Sequence, residues 1–280
     1  MDGRLTLMAV HAHPDDEALF TGGVLARAAD AGVRTVLVTC TNGELGYGPG
    51  GSLPGGPGHD GATVAEIRGR ELQASCRILG VDRLERLGYH DSGMAGWTQN
   101  DAPGAFCQVP VAKAARRLAG LMERHRPDVV VTYGADGFYG HPDHVAAHRI
   151  TVAAADATGI PAKVYFVAMP RSALARLVEL AGHLGTELPG WVETAHAAGT
   201  DDHRISAFVD CSAVVDRKYG ALGAHASQLD NAFFLHMGID RYSQVFSTEA
   251  YVRGRDRTGA SVPEDDLFAG VVPGGAGAAS

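Results

Sequence analysis

The chain has 280 residues, of which 45% are hydrophobic and 20% charged, the balance of an ordinary globular protein long enough to bury a full core without disulfide or metal staples. Its 24 basic and 32 acidic residues leave a formal charge of −8, which argues against a nucleic-acid partner, since that function needs a basic face to displace counterions. No apolar run approaches the ~18 residues that would span a bilayer and the first residues carry no cleavage-site pattern, so the expectation is a cytoplasmic protein with no membrane partner.

Residues 5–10 form a continuous apolar run, as a buried parallel strand should. Helical spacing follows over 16–31, closed by Gly32. A second buried strand is expected at 35–40. Residues 47–61 are dense in Gly and Pro and exclude regular structure; they read equally as a lid or as a tolerated surface insertion. A charged helix at 63–79 ends in Gly80, and a short strand at 83–87 comes next. A helix at 109–125 admits Pro110 in its first turn. Residues 128–133 are the clearest strand, followed by a helix at 143–158 and a strand at 163–167. This alternation predicts an α/β fold with a mostly parallel sheet. Beyond Pro170 the pattern loosens, with a helix at 172–184, a strand at 205–209 and a helix at 214–225. We read one domain over 1–273, an α/β core over 1–168 with 169–273 packed on it, and a disordered tail at 274–280. Cys40, Cys76, Cys107 and Cys211 are scattered without a Cys-x-x-Cys pair, which fits reduced thiols.

Two histidine-rich stretches carry the chemistry. The first strand runs into His11-Ala12-His13-Pro14-Asp15-Asp16-Glu17, and the fourth leads to Tyr139-Gly140-His141-Pro142-Asp143-His144. In each, Pro fixes φ at a helix start and Asp can cap free amides. Capping accounts for one Asp in each stretch but not for the paired histidines or the extra carboxylates. With strand order 3-2-1-4-5, strands 1 and 4 flank the reversal where open parallel sheets bind ligands, so the two stretches would face each other.

A divalent metal explains that composition. Imidazole and carboxylate suit zinc, and a hydrolytic site supplies three ligands with one position open. The simplest set is His13, Asp16 and His144, leaving Asp15 to accept a proton from an activated water attacking a carbonyl. The same donors accept ferrous iron. His11 and His148 are candidate ligands too, although packed or orienting roles are more ordinary for them. His141 lies where it can face substrate, with Asp143 expected to hold its ring and raise its pKa. A protonated His141 would steady an oxyanion or give a proton to a leaving amine, with Tyr139 as a second donor.

At these residues the sequence resembles the LmbE/PIG-L family of zinc-dependent N-deacetylases. The likeness rests on HAHPDDE at 11–17 and YGHPDH at 139–144, and extends through TNGELG at 41–46, the helix around Arg68-Gly69-Arg70-Glu71-Leu72, HDSGMAG at 90–96, DVVVTYGADG at 128–137, GALGAHASQLD at 220–230 and PEDDLF at 263–268. Within the family it is most similar to the actinobacterial mycothiol enzymes, a deacetylase of N-acetylglucosaminyl-inositol and an amidase of mycothiol S-conjugates. The resemblance implies a Rossmann-like three-layer fold and zinc between His13, Asp16 and His144. It implies Asp15 as general base, His141 as catalytic imidazole and Tyr139 on the oxyanion. It further implies that Arg68 and Asp91 contact sugar or inositol hydroxyls. The expected partner is a small N-acylated amino sugar, and self-association is an open expectation. HDSGMAG looks more like the deacetylase and PEDDLF more like the amidase, so hydrolysis of another amino-sugar amide in natural-product biosynthesis stays in view. A dinucleotide-binding module is disfavoured, because it needs a glycine-rich turn after the first strand where this chain has bulky, negative His-Pro-Asp-Asp-Glu. A noncatalytic sugar-binding relative would be expected to lack a ligand or the base.

Overall fold

A computed structural model describes residues 3–185, 188, 190, 192 and 199–272; the tail expected at 274–280 lies outside them. The chain forms β1 (Thr6–His11), α1 (Asp16–Phe20), α2 (Gly22–Asp30), β2 (Arg34–Thr41), α3 (Gly61–Leu79), β3 (Arg83–Tyr89), α4 (Val111–His125) and β4 (Val129–Thr132). There follow a single turn α5 (Gly137–Gly140), α6 (Pro142–Thr158), β5 (Lys163–Ala168), α7 (Arg171–Leu184) and β6 (Ala207–Asp210). The chain closes with α8 (Val215–Ala224), α9 (Asp230–His236), α10 (Ile239–Phe246) and β7 (Thr248–Asp256).

The seven strands are ordered β3-β2-β1-β4-β5-β7-β6. The first five are parallel, with β1 between β2 and β4. This is the order the ligand-crevice argument required: β1 and β4 flank the reversal, and the loops leaving their carboxyl ends share one crevice. Strand β7 runs antiparallel to both β5 and β6. Helices α2, α3 and α8 pack together, while α4 packs on α6. Right-handed crossovers on either side of the reversal put these two groups on opposite faces of the sheet. All six residues of β1 are buried, as are Val36, Leu37 and Val38 of β2 and Val129, Val130 and Val131 of β4. That continuous apolar filling is what a doubly covered parallel strand requires.

Three local readings change. The helix expected over 16–31 breaks at Thr21, whose hydroxyl bonds the Glu17 carbonyl and His11. Pro110 sits at the N-cap of α4, just before its first turn. Residues 47–61 hold one short 3-10 turn, Pro49–Gly51, and the segment is tied to the C-terminal region. There the Tyr47 amide donates to Gln228 Oε1 at 3.1 Å and the Tyr47 hydroxyl to Asp230 Oδ1 at 3.1 Å. Among the described residues no helix is long and apolar enough to cross a membrane.

Candidate metal centre

Pro14 stands just before the N-cap of α1 beyond β1, Pro142 is the first residue of α6 beyond β4, and the histidines around them meet. The ring centroids of His13 and His141 lie 4.6 Å apart, those of His13 and His144 5.3 Å, and those of His141 and His144 4.9 Å. Carboxylates surround them. Asp16 Oδ2 is 3.3 Å from His13 Nδ1, Asp16 Oδ1 is 3.5 Å from His144 Nε2, and Asp143 Oδ2 is 3.2 Å from His13 Nε2. Asp91 Oδ1 lies 3.7 Å from His13 Nε2. His13, Asp16, Asp91, His141, Asp143 and His144 are all buried.

Hydrogen bonds assign the nitrogens. His144 Nδ1 lies 3.2 Å from the Gly137 carbonyl, an acceptor, so Nδ1 carries the proton and Nε2 of the neutral ring keeps a lone pair. That Nε2 is buried without a hydrogen-bond partner among the described residues and faces Asp16 Oδ1. Two lone pairs turned toward each other in a buried site call for a proton or a metal cation between them. Asp143 likewise accepts from His13 Nε2, the carboxylate–histidine arrangement that orients metal ligands, and although burial pulls the His13 pKa down, Asp91, Asp143 and Asp16 carry it well above the ordinary histidine value. Imidazole and carboxylate donors together suit a divalent cation. Donor atoms lie within 4.8 Å of one another in the group His13, His141 and His144 and in the group His13, Asp91, His141 and Asp143, and both groups need a lone pair on His141. His141 Nδ1 accepts the Asp143 amide at 3.1 Å, so Nε2 carries the proton and is a donor.

That bond corrects one expectation. The Asp143 carboxylate does not hold the His141 ring. It accepts from His13, from the Ser92 amide at 2.9 Å and from the Ser92 hydroxyl, while His141 is itself the N-cap of α6. Burial then depresses the His141 pKa well below the ordinary histidine value, aided by the neighbouring His13 and His144, instead of the expected rise. The ring is neutral and presents an N–H.

Asp15 stands apart from Asp16, as neighbours at a helix start must. Its φ of 101° is a positive value rare outside glycine, a strain of about 1–3 kcal/mol. The surroundings hold it there. Its amide donates to Glu17 Oε2 at 3.0 Å, and its carbonyl accepts from the Ala18 and Leu19 amides. Arg68 Nη2 reaches Asp15 Oδ1 at 3.2 Å, and Asn231 Nδ2 donates to Oδ2 at 3.3 Å. Burial raises the Asp15 pKa, opposed by Arg68 and reinforced by Asp16. The same Nη2 also donates to the Pro14 carbonyl at 2.5 Å, and Nη1 donates to the Gly43 carbonyl at 2.7 Å. Gly43 has to be glycine: its φ is 67°, and a Cβ there would lie 2.5 Å from Arg68 Nη1.

A cavity of about 390 Å³ opens over these groups, lined among others by His13, Asp15, Asp16, Arg68, Asp91, Tyr139 and His141. Tyr139 lies with its ring 5.0 Å from that of His144, and burial keeps its phenol protonated. His11 is no ligand. Its two nitrogens meet Tyr133 Oη at 3.2 Å and Thr21 Oγ1 at 2.8 Å, and burial lowers its pKa to about 4. His148 turns away, with Nδ1 on the Tyr133 carbonyl at 2.9 Å and its ring against Phe166.

Three contributors were not singled out from the sequence. The Tyr133 hydroxyl donates to Asp16 Oδ2 at 2.7 Å and its ring stacks on His144 at 4.0 Å. Ser92 fixes Asp143, and Asn231 touches Asp15. Tyr133 ends the fourth predicted strand and its position there was a usable signal. Ser92 is brought in by the loop after β3 and Asn231 by the first turn of α9, a short helix that the sequence reading did not find.

Below the crevice lies a buried ion pair. His225 Nε2 lies 2.7 Å from Glu17 Oε1, with both side chains fully buried. Burial opposes the charge on each, but mutual attraction wins: the His225 pKa is raised and that of Glu17 lowered. The stability from the raised His225 is full below its unfolded pKa and fades as pH rises through the folded value. That from Glu17 is present above its unfolded pKa and fades as pH falls through the folded one. Glu17→Ala strands His225 and frees the Asp15 amide, so we expect a loss of about 3–5 kcal/mol, read as a melting temperature lower by on the order of 10 °C.

Fold and site together define a doubly wound α/β protein with a buried imidazole–carboxylate cluster at its topological switch point. Residues 8–155 match the PIG-L family, described as GlcNAc-PI de-N-acetylase. Over 282 residues the chain is 40% identical to the 1D-myo-inositol 2-acetamido-2-deoxy-alpha-D-glucopyranoside deacetylase of Salinispora arenicola, covering 95% of this chain and 91% of the relative. The chain belongs to the PIG-L family. The N,N'-diacetylchitobiose deacetylase of Pyrococcus horikoshii shares the fold, with a TM-score of 0.56 at 19% identity over 89% of this chain and 83% of that one. So does the 4-carboxy-2-hydroxymuconate hydratase GalB of Pseudomonas putida, with a TM-score of 0.59 at 20% identity over 92% and 99% of the two chains. A hydratase on this fold means that the reaction has to be argued from the site.

Proposed function

We propose that the protein hydrolyses the N-acetyl group of an amino sugar, with N-acetylglucosaminyl-inositol as the leading substrate. The observation that carries this reading is the unpartnered Nε2 of His144 facing the carboxylate of Asp16, which lines the same cavity as the strained, doubly held Asp15. His13, Asp16 and His144 would hold a divalent cation, zinc first and ferrous iron as the alternative. Bound there, the cation supplies Lewis acidity and makes a nearby water more acidic.

The chain's own residues do the rest. Asp15 takes the proton of the attacking water, its carboxylate aimed by Arg68 on one oxygen and Asn231 on the other. As the amide carbon becomes tetrahedral, the His141 N–H and the hydroxyl of Tyr139, both residues of the cavity wall, donate to the developing oxyanion. When the C–N bond breaks, the amine takes up the proton that Asp15 removed from the water, while the neutral His141 keeps its N–H on the oxyanion. Asp143 holds His13, and Tyr133 holds Asp16. Asp91 lines the cavity and serves a sugar hydroxyl. Arg68 also lines it, but its donors go mainly to Asp15, Gly43 and Pro14, so we assign it to holding the base more than to gripping substrate.

The test is primary-amine release from N-acetylglucosaminyl-inositol and from a mycothiol S-conjugate, measured side by side with zinc-loaded protein. Release at least about tenfold faster from the first supports the reading. Faster release from the conjugate makes the protein an amidase. No release from either by a metal-loaded protein sends the search to other acetylated amino sugars. The pH profile gives a second check. Arg68 opposes the upward pull of burial on Asp15, so Arg68→Leu moves the acid limb of kcat/KM to higher pH. A limb that stays in place removes Asp15 as the titrating base.

A further inference from the structure

A buried imidazole lies behind the base. His225, just past the end of α8, is fully buried; its Nε2 lies 2.7 Å from Glu17 Oε1, while its Nδ1 meets no hydrogen-bond partner among the described residues. A buried ion pair is seldom more stable than well-packed apolar side chains of the same volume, and a buried nitrogen without a partner costs more still. Stability alone does not account for a histidine at this position.

Glu17 connects it to Asp15. The other oxygen of Glu17, Oε2, accepts the Asp15 amide at 3.0 Å, and that amide belongs to the residue with φ 101°, a backbone conformation that an aspartate does not keep unaided. The conformation parts two neighbouring carboxylates: Asp16 faces His13 and His144, and Asp15 reaches Arg68 and Asn231. Glu17 fixes it only while its own carboxylate stays in one place, and His225 and the Ser75 hydroxyl both hold Oε1. These donors come from two elements fastened to each other. Arg68, Glu71 and Ser75 share one face of α3, at helical spacing. Arg68 meets Asp15, Ser75 meets Glu17, and Glu71 accepts the Ser227 amide and hydroxyl at 2.8 and 2.7 Å. Ser227 lies between His225 and Asn231, so one short segment supplies both the donor on Glu17 and the donor on Asp15 Oδ2.

Resting on the reading of Asp15 as the general base, we propose that His225 is a positioning residue for the hydrolysis: by holding Glu17 it sets the Asp15 backbone, and so the direction of the Asp15 carboxylate. Without it Glu17 loses its charged donor, the Asp15 amide is left to a mobile acceptor, and the base takes up directions from which it does not reach the attacking water. His13, Asp16 and His144 keep their own partners in Asp143, Tyr133 and the Gly137 carbonyl, so metal uptake is unaffected.

The experiment is a double-mutant cycle on amine release from N-acetylglucosaminyl-inositol by zinc-loaded protein, with His225→Ala made in the wild type and in Asp15→Asn. In the wild type His225→Ala should lower kcat by about 10–100-fold, with KM within about threefold and one metal per chain. In Asp15→Asn, where no base is left to position, it should lower the residual kcat by less than about twofold. A purely structural role lowers both by the same factor, so equal losses overturn the proposal. Ser75→Ala removes a single hydroxyl from Glu17 and repeats the cycle with little threat to folding; its expected loss is about threefold, again absent from Asp15→Asn. If His225→Ala does not fold, the Ser75→Ala cycle decides alone. Wild-type kcat in every folded variant overturns the proposal and leaves the deacetylase reading intact. Two other results strike what it rests on: full activity in Asp15→Asn removes the base, and no amine from the wild type overturns the deacetylase reading itself.

Discussion

Asp15→Asn lowers kcat for amine release by about 10²–10⁴-fold while the protein still takes up one metal per chain. The amide keeps the shape of the carboxylate and loses its capacity to accept a proton. It can keep one acceptor oxygen toward Arg68, so the backbone at φ 101° stays supported by Glu17 and the Ala18 and Leu19 amides. Asp15 is not needed in the ligand set, because it reaches toward Arg68 and Asn231, whereas Asp16 faces His13 and His144. Metal titration beside steady-state kinetics checks both halves. A fully active Asp15→Asn protein removes Asp15 as the base, and an inactive one that has lost its metal makes Asp15 a ligand instead.

The second large effect is on metal affinity. His144→Ala weakens binding by more than about 100-fold, since groups that merely orient ligands already contribute about 10–100-fold. The control lies one helical turn on. His148→Ala removes an imidazole bonded to the Tyr133 carbonyl, on the Phe166 side, and should leave the metal stoichiometry unchanged. Dialysis followed by metal analysis of both variants decides the matter. Stoichiometric metal in His144→Ala takes this residue out of the set and favours the grouping that includes His141.

Much of this is legible in the sequence. Strands β1, β2 and β4 hold apolar centres, Leu7–Val10, Val36–Val38 and Val129–Val131, because both their faces are covered, and such runs stand out in a sequence. The spacing of His-Pro-Asp at the ends of strands 1 and 4, with the assumed strand order, placed His13, Asp16, His141 and His144 in one crevice. Strand β7 was not read. Its sequence TEAYVRGRD mixes charges with apolar residues, and its burial is partial beyond Tyr251, so neither period-2 alternation nor a solid apolar run appears. The partner of His141 was misjudged for a different reason. Sequence proximity suggested Asp143 as the group on its ring, but a residue at N2 of a helix offers its amide back to the N-cap side chain, leaving its own carboxylate for His13 and Ser92. Asn231 lies 216 positions from Asp15, and no local pattern connects them.

The central claim is that a cation held by His13, Asp16 and His144 makes this chain an amino-sugar deacetylase. The most direct measurement follows amine release from N-acetylglucosaminyl-inositol by protein stripped with a chelator, before and after one equivalent of zinc or ferrous ion. The account predicts at least about a 100-fold loss on stripping and recovery that saturates at one ion per chain in the wild type but not in His144→Ala. Undiminished turnover by the stripped protein, or recovery in His144→Ala equal to the wild type, contradicts it.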